Sequence, residues 1–395
     1  MAESFLPLSH ANKEVVLTAH FNTPGNRLVT GSADHRLRVF DDNKENNWIL
    51  VEEWRAHNAE VTEARWHPHP YPAVIASIGE DTKCKIWLED ATSAPLSGRR
   101  FNCVYSQSPS HPSPYTALAF HATSPTRAFL ALATRDGRLS LCEPEKSASG
   151  LQYLSEWREI DQILICGETI PRGTETSFRF SFQDTERPIW AAIRSGLDPR
   201  AISLAVTALN DVKVYRVTPQ AGTVGEQYRF LSPVAQLTGP TAIVRDVAWS
   251  PILYRDRDVI ATASADGYVR IYEVEVPKVQ ARDIGTNGAA IMNANIPSGI
   301  GAGLAVADSQ TGEFEESGIR HIWNEVAELR HEGCWRVEWM QDGKFFVTQE
   351  ELIFGSMIKT EDGLNLQTLD QKTNAGDTLL YMVGYESRIG LTRSK

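Results

Sequence analysis

The residues with the clearest capacity for chemistry are two histidines two apart, in His67-Pro68-His69-Pro70, and five cysteines: Cys84, Cys103, Cys142, Cys166 and Cys334. Imidazoles at i and i+2 of an extended segment lie on one side and could fill two corners of a tetrahedral metal site. No third ligand is placed near them, and a proline after each histidine reads as a solvated turn, so no metal is expected. The cysteines are far apart, odd in number and without a C-x-x-C pair. That spacing serves neither a zinc site nor a disulfide framework and suits a reducing compartment. Cys84 and Cys142 fall where strands pack and read as small buried hydrophobes. Carboxylates are plentiful but scattered over turns, and no G-x-S-x-G, P-loop or G-x-G-x-x-G occurs. The usual hydrolase, NTPase and dinucleotide signals are therefore missing. The sequence predicts no catalytic residue, no cofactor and no enzyme.

Charge and hydropathy narrow the class further. The formal net charge of −11 and the absence of a dense basic run argue against direct nucleic-acid binding, which needs clustered Lys and Arg along phosphates. No apolar stretch approaches 18 residues, so no transmembrane helix is expected. The opening MAESFLPLSH has neither a basic start nor a long apolar core. No secretory signal is expected there, and the chain reads as soluble and intracellular.

What positions such residues is a repeat. The stretch Trp54 to Trp87 contains a short strand ending at Trp66, an apolar run from Ala73 to Ser77, a tight turn at Glu80-Asp81-Thr82 and a strand from Cys84 to Trp87. Copies recur along the chain. An aspartate in a turn, followed six residues later by a bulky or soft apolar residue, occurs at Asp34 and Phe40, Asp81 and Trp87, Asp136 and Cys142, and Asp266 and Tyr272. A shortened copy runs from Asp211 to Tyr215. Asp recurs there because its side chain bonds its own backbone two residues on. Upstream of the turns, inner strands end on Phe21, Trp66, Phe120, Phe182, Trp249 and Trp339.

These markers predict six blades of an all-β propeller, at about 10–48, 50–90, 112–160, 175–218, 233–276 and 323–360 of a domain spanning 1–360. The Ser/Pro-rich Tyr105 to Pro114 reads as a solvated connection, and residues 277–319 read as a disordered insert. After Phe345 to Thr348 no Asp turn with an aromatic strand follows, so 361–395 is left as a tail without a blade assignment. The ten tryptophans fall on blade markers or beside strands and read as core.

The best-formed repeat resembles a WD40 blade. In that family a histidine, an acidic residue, a Ser or Thr and a terminal tryptophan form a buried hydrogen-bonded chain. The resemblance puts these roles on His57, Glu63, Ser77 and Trp87, as framework rather than chemistry.

Within WD40 proteins the chain resembles the Seh-type nucleoporins, small propellers of the Y-shaped nuclear pore scaffold related to the COPII coat propeller. The resemblance is carried by AISLAVTALNDVKVYR (Ala201 to Arg216), with its shortened turn, and RDVAWSPILYRDRDVIATASADGYVRIYEV (Arg245 to Val274). GLQYLSEWREI (Gly150 to Ile160), the long insert from Pro277 and the resumption at ELRHEGCWRVEW (Glu328 to Trp339) also fit. The family's usual closing turn and VRLW-like strand are missing after Phe346.

The resemblance implies an open six-bladed ring, completed as a seventh blade by strands from an α-helical solenoid nucleoporin, by β-augmentation. It implies a scaffold role in nucleocytoplasmic transport at the nuclear envelope, beside other subunits of the Y-shaped complex. Position alone suggests the partner edge: Val15, Val16 and Leu17 in the first blade, and Trp335, Val337 and Trp339 in the sixth. Two alternatives stand beside this reading. One is a coat-type subunit or a subunit of a vacuole-associated nutrient-signalling complex. The other is a closed propeller reading a peptide or histone tail on its central face.

Overall fold

Strands form wherever this sequence alternates or runs apolar between turn residues. Val74–Gly79 is buried along its whole length, as a strand packed on both faces must be. Cys84–Glu89 alternates only in part, burying Cys84, Ile86 and Trp87. The computed structural model describes residues 14–43, 48–69, 72–124, 127–145, 154–171, 173–183, 200–222, 225–230, 233–254, 257–276, 321–330, 334–339, 345–349, 354–360 and 363–369.

The described strands make six antiparallel sheets, each built from one stretch of chain. Blade 1 holds β1 (Val16–Phe21), β2 (Arg27–Ser32), β3 (Arg36–Asp42) and β4 (Trp48–Arg55). Blade 2 holds β5 (Val61–Trp66), β6 (Val74–Gly79), β7 (Cys84–Glu89) and β8 (Phe101–Gln107). Blade 3 holds β9 (Tyr115–Ser124), β10 (Arg127–Thr134), β11 (Arg138–Pro144) and β12 (Trp157–Leu164). Blade 4 holds β13 (Phe180–Phe182), β14 (Ile202–Ala208), β15 (Asp211–Gly222) and β16 (Gly225–Phe230), with β17 (Ala235–Leu237) also paired to β15. Blade 5 holds β18 (Val244–Trp249), β19 (Asp258–Ser264), β20 (Tyr268–Glu275) and β21 (Ile322–Arg330). Blade 6 holds β22 (Cys334–Trp339), β23 (Phe345–Gln349), β24 (Phe354–Thr360) and β25 (Gly363–Leu369). This is a six-bladed WD40 propeller, and among the described residues its sheets do not close into a ring.

The Asp turns are what makes each blade turn tightly. Asp34, Asp81 and Asp266 each accept the N–H two residues on, at 3.1, 3.2 and 3.1 Å. The residue after each aspartate lies in the left-handed region: His35 at φ 69°, Thr82 at 63° and Gly267 at 83°. Gly137 repeats this after Asp136 at 86°. Thr82 is β-branched, so its turn carries the greatest steric load of the four.

Several boundaries differ from the sequence expectation, mostly at the outer strands. Trp48–Arg55 pairs with Arg36–Asp42 and completes blade 1, although Trp54 was grouped with blade 2. Trp54 does pack into blade 2, stacked on Phe101 at 4.7 Å and edge-on to Trp87 at 5.6 Å, which is why it reads as part of that repeat. β8 runs to Gln107, so Tyr105 is strand and only the residues after it form the Ser/Pro connection. Ile322–Arg330 pairs with β20, so the long insert joins two strands of blade 5 rather than blades 5 and 6. The insert and residues 370–395 lie outside the described residues. The tail expectation is revised by β24 and β25, which pair from Phe354 opposite Leu369 to Thr360 opposite Gly363 and give blade 6 its outer half.

Buried apolar residues gather between blades. Separate clusters join blades 1 and 2, 2 and 3, 3 and 4, 4 and 5, and 5 and 6. Among the residues whose side chains are described, the sixth cluster is one-sided: Leu28, Phe40 and Trp48, with Ala19, Phe21 and Leu50 against them, all belong to blade 1.

Candidate functional site

Two places concentrate polar groups. The first lies inside blade 2. Trp87 Nε1 donates to Ser77 Oγ at 2.9 Å, Ser77 Oγ and His57 Nε2 lie 2.8 Å apart, and His57 Nδ1 lies 2.8 Å from Asp81 Oδ1. A neutral imidazole protonated on Nδ1 satisfies every member: the Ser77 hydroxyl donates to Nε2, and Nδ1–H donates to Asp81. Burial favours that neutral form and holds the His57 pKa below its ordinary 6.5, with Asp81 pulling the other way. Burial works to raise the Asp81 carboxyl, but the Asn58 N–H and His57 outweigh it and hold it below the ordinary range.

Glu63, expected in this chain, stands elsewhere. It is buried at the ring axis, accepts the Leu118 N–H at 3.0 Å and pairs with Arg65 at 2.8 Å and Arg179 at 3.9 Å. The turn aspartate, already used in local backbone bonding, is also the acid of the chain. Its sequence role as a turn former concealed the second role.

The second place is the ring axis. After a bulge or register irregularity in the inner strands of blades 1, 2, 3, 5 and 6, alternate side chains face the following blade. Thr18 Oγ1 accepts the Ala64 N–H at 3.3 Å, and His20 Nδ1 accepts the Trp66 N–H at 3.1 Å. Glu63 accepts from Leu118, Ser181 Oγ accepts the Trp249 N–H at 2.8 Å, and Asp246 Oδ2 accepts the Val337 N–H at 3.0 Å. An inner strand leaves alternate N–H groups unpaired by its own sheet, and for these residues of blades 2, 3, 5 and 6 the preceding blade supplies the acceptor. Arg65, Arg179 and Arg336 converge with Glu63, Asp246 and Glu338 around the axis. Burial raises Asp246 and Glu338 above the ordinary carboxylate range, while the arginines lower Glu63 despite its own burial.

At the seam between blades 6 and 1 this arrangement is incomplete. Among the described residues a single hydrogen bond joins the two inner strands, from Arg336 Nη2 to Leu17 O at 3.3 Å. Val15 is 57% exposed, and Val16 and Leu17 are half-buried. Trp335 is 39% exposed, with the Arg245 guanidinium 3.8 Å from its ring centre. Two expected edge residues point away from the seam. Val337 packs on blade 5, and Trp339 packs there too, its Nε1 donating to Ala248 O at 3.0 Å. The bulge between Cys334 and Arg336 shifts the alternation, so Arg336 and Glu338 face the seam instead.

The His67 and His69 pair is taken up in local contacts. His67 is buried edge-on to Phe120, and its Nδ1 accepts the His69 N–H at 3.1 Å. Among the described residues no cluster of three potential ligands exists, and all five thiols are free. No described helix is long and apolar enough to cross a membrane.

The WD domain, G-beta repeat model matches residues 6–41 and 231–273. The chain is similar to nucleoporin SEH1 of Chaetomium thermophilum, 29% identical over 347 residues, a match covering 68% of this chain and 64% of that protein. It is similar to nucleoporin SEH1 of Saccharomyces cerevisiae, 27% identical over 269 residues and covering 68% and 70% of the two chains. Protein transport protein sec13 of Emericella nidulans is 23% identical over 278 residues, covering 70% and 81%. The likeness thus lies with proteins named as nucleoporins and as a protein transport protein.

Proposed function

We propose that this WD40 protein is a non-catalytic scaffold subunit of the Y-shaped, outer-ring complex of the nuclear pore. In this reading it sits at the nuclear envelope, supports nucleocytoplasmic transport, and has its open ring completed by strands from a helical-solenoid nucleoporin. The observation that carries this reading is the one-sided cluster on blade 1. Leu28, Phe40 and Trp48 occupy the place that faces a neighbouring blade at the other junctions, yet none of the blade 6 residues whose side chains are described, Cys334–Trp339, joins them. A sheet added at the seam would bury that face further and pair free edges, as β-augmentation does. The similarity to proteins named nucleoporin SEH1 supplies the pore as the setting.

The similarity to sec13 favours one second reading, a coat-type cage subunit built by the same edge. The experiment that separates and tests both is purification of the full chain with its partners in about 1 M salt. At that ionic strength surface charge is screened within about 3 Å, whereas strand pairing and apolar burial persist. A solenoid nucleoporin retained in high salt is the expected result; a retained coat solenoid alone selects the second reading. In a Cys103→Ser background, joining Val15→Cys to Trp335→Cys with a bis-maleimide closes the seam and should abolish retention. Retention undiminished by that closure sinks both readings.

A further inference from the structure

The hydrogen bonds that run from blade to blade carry a rule that extends to the open seam. At one inner-strand level Thr18, Glu63 and Asp246 accept N–H groups of the following blade, at Ala64, Leu118 and Val337. Two residues later His20 and Ser181 do the same for Trp66 and Trp249. Register places Arg336 at the first level and Glu338 at the second, because Trp339 opposite Phe345 matches Trp66 opposite Ile75 and Trp249 opposite Ile260.

Glu338 is therefore an acceptor aimed at a blade that follows blade 6. Glu338 keeps exposed surface although desolvation by the surrounding axis groups raises its carboxyl, it lies in the field of Arg65 and Arg336, and it has no hydrogen-bond partner among the described residues. The opposite side of the seam shows the complementary deficit. Phe21 lies opposite Leu28, as Trp66 lies opposite Ile75, so the N–H groups of Ala19 and Phe21 face away from β2. Among the described residues no side chain accepts either of them. Among the described residues, what the seam lacks is a whole inner strand rather than an outer one, since blades 1 and 6 each already hold four strands of their own.

Building on the reading of an open ring completed by a partner, we propose that the seam selects its completing strand by main-chain hydrogen bonds at two points. Glu338 accepts an amide N–H of the incoming inner strand. That strand brings acceptor side chains two residues apart, from Ser, Thr, Asn, Asp, Glu or His, to the N–H groups of Ala19 and Phe21. The occupant is thus an extended partner segment with the pattern acceptor-x-acceptor, the pattern β1 itself carries at Thr18 and His20. An acceptor at Glu338 also explains why a carboxylate is kept at the axis with no bond of its own.

The test uses the ¹⁵N-labelled full chain and, as probe, an unlabelled synthetic hairpin copying residues 14–33. In the free chain the Ala19 and Phe21 amides should exchange at least about tenfold faster than those of Ala64 and Trp66, whose acceptors are in place. Excess hairpin should protect Ala19 and Phe21, and a hairpin with both Thr18→Ala and His20→Ala should not. In the full chain, Glu338→Leu should weaken hairpin binding about tenfold, the scale of one charge-assisted hydrogen bond. Glu338→Gln, which keeps an acceptor oxygen, should stay within about twofold.

Equal exchange at Phe21 and Trp66 in the free chain overturns the proposal, whether another segment of the chain or, if dilution abolishes it, a second copy fills the seam. No protection at millimolar hairpin, or equal protection by the doubly substituted one, overturns it as well. A solenoid that binds equally well to Glu338→Leu and leaves Phe21 unprotected defeats this inference and spares the proposed function. Hairpin protection without any solenoid retention does the reverse.

Discussion

Ser181 of β13 accepts the amide N–H of Trp249 of β18 at 2.8 Å, tying blade 4 to blade 5 through one hydroxyl. The Trp249 side chain is buried in the cluster between these blades, so water has little access to replace the bond. Leaving a buried donor unpaired costs about 1–3 kcal/mol. Ser181→Ala should lower stability by about 1–2 kcal/mol in urea unfolding and speed exchange of the Trp249 amide. Ser181→Thr keeps an acceptor and should recover most of the loss. An unchanged Trp249 exchange rate in Ser181→Ala would show that the hydroxyl is not the acceptor.

The framework chain of blade 2 predicts a larger effect from an equally small change. Ser77 Oγ sits between Trp87 Nε1 and His57 Nε2, both buried. Ser77→Ala orphans two polar groups at once, for a cost of about 2–3 kcal/mol. Asp81→Asn keeps an oxygen for His57 and should cost less. Thermal and urea unfolding of the two variants give the comparison, and a Ser77→Ala cost no greater than that of Asp81→Asn contradicts the arrangement.

The contrast between these sites and the seam explains what was legible in the sequence. Asp34, Asp81 and Asp266 announce themselves because an Asx bond spans only two residues, so its signal is local. Trp66 and Trp87 are legible because a large aromatic closing an alternating run has few other homes. The outer strands are not, and Ile322–Arg330 shows why: all nine of its residues are exposed or half-buried, so it carries little apolar pattern. Assigning Glu63 to the blade 2 chain failed because both Glu63 and Asp81 are acids at plausible spacing, and only three-dimensional position separates them. Val337 and Trp339 were placed at the seam for a related reason. A bulge changes which alternate residues share a face, and nothing in Cys334-Trp335-Arg336 marks where the extra residue falls.

Glu63 offers a test of the axis. It is buried, bonded to the Leu118 N–H, and placed between Arg65 and Arg179. Glu63→Ala removes both the acceptor and the charge that separates the two arginines. Breaking a buried ion pair on one side costs about 3–5 kcal/mol. Glu63→Gln keeps an acceptor for Leu118 and should cost less, by the roughly 1–3 kcal/mol that leaving the buried Leu118 N–H unpaired would add. If urea unfolding finds the two variants equal, the N–H bond contributes nothing and the charge alone matters.

Acid sensitivity follows from three histidines held neutral by the fold. Burial lowers His20 well below its ordinary 6.5, with Arg65 and Arg336 adding to it; burial also lowers His57, and it lowers His67 to about 4. A histidine depressed in the folded state binds fewer protons there than in the unfolded chain. Its contribution is complete above pH 6.5 and is lost as pH falls from 6.5 toward the folded value. Asp34, Asp81 and Asp266 are also depressed, from an ordinary 3.8, so their loss begins only near pH 4 and continues below it. Asp246 and Glu338, both raised, act in the opposite sense and soften the decline as they take up protons. Urea unfolding should therefore give a level stability near pH 7–8, a first decline below about pH 6.5 and a steeper one below about pH 4. His67→Phe keeps a ring against Phe120 and removes one titrating group, so the decline between pH 6.5 and 4 should be shallower than in the wild type. A slope in that window identical in the two proteins would remove His67 from the account and leave His20 and His57 to carry it.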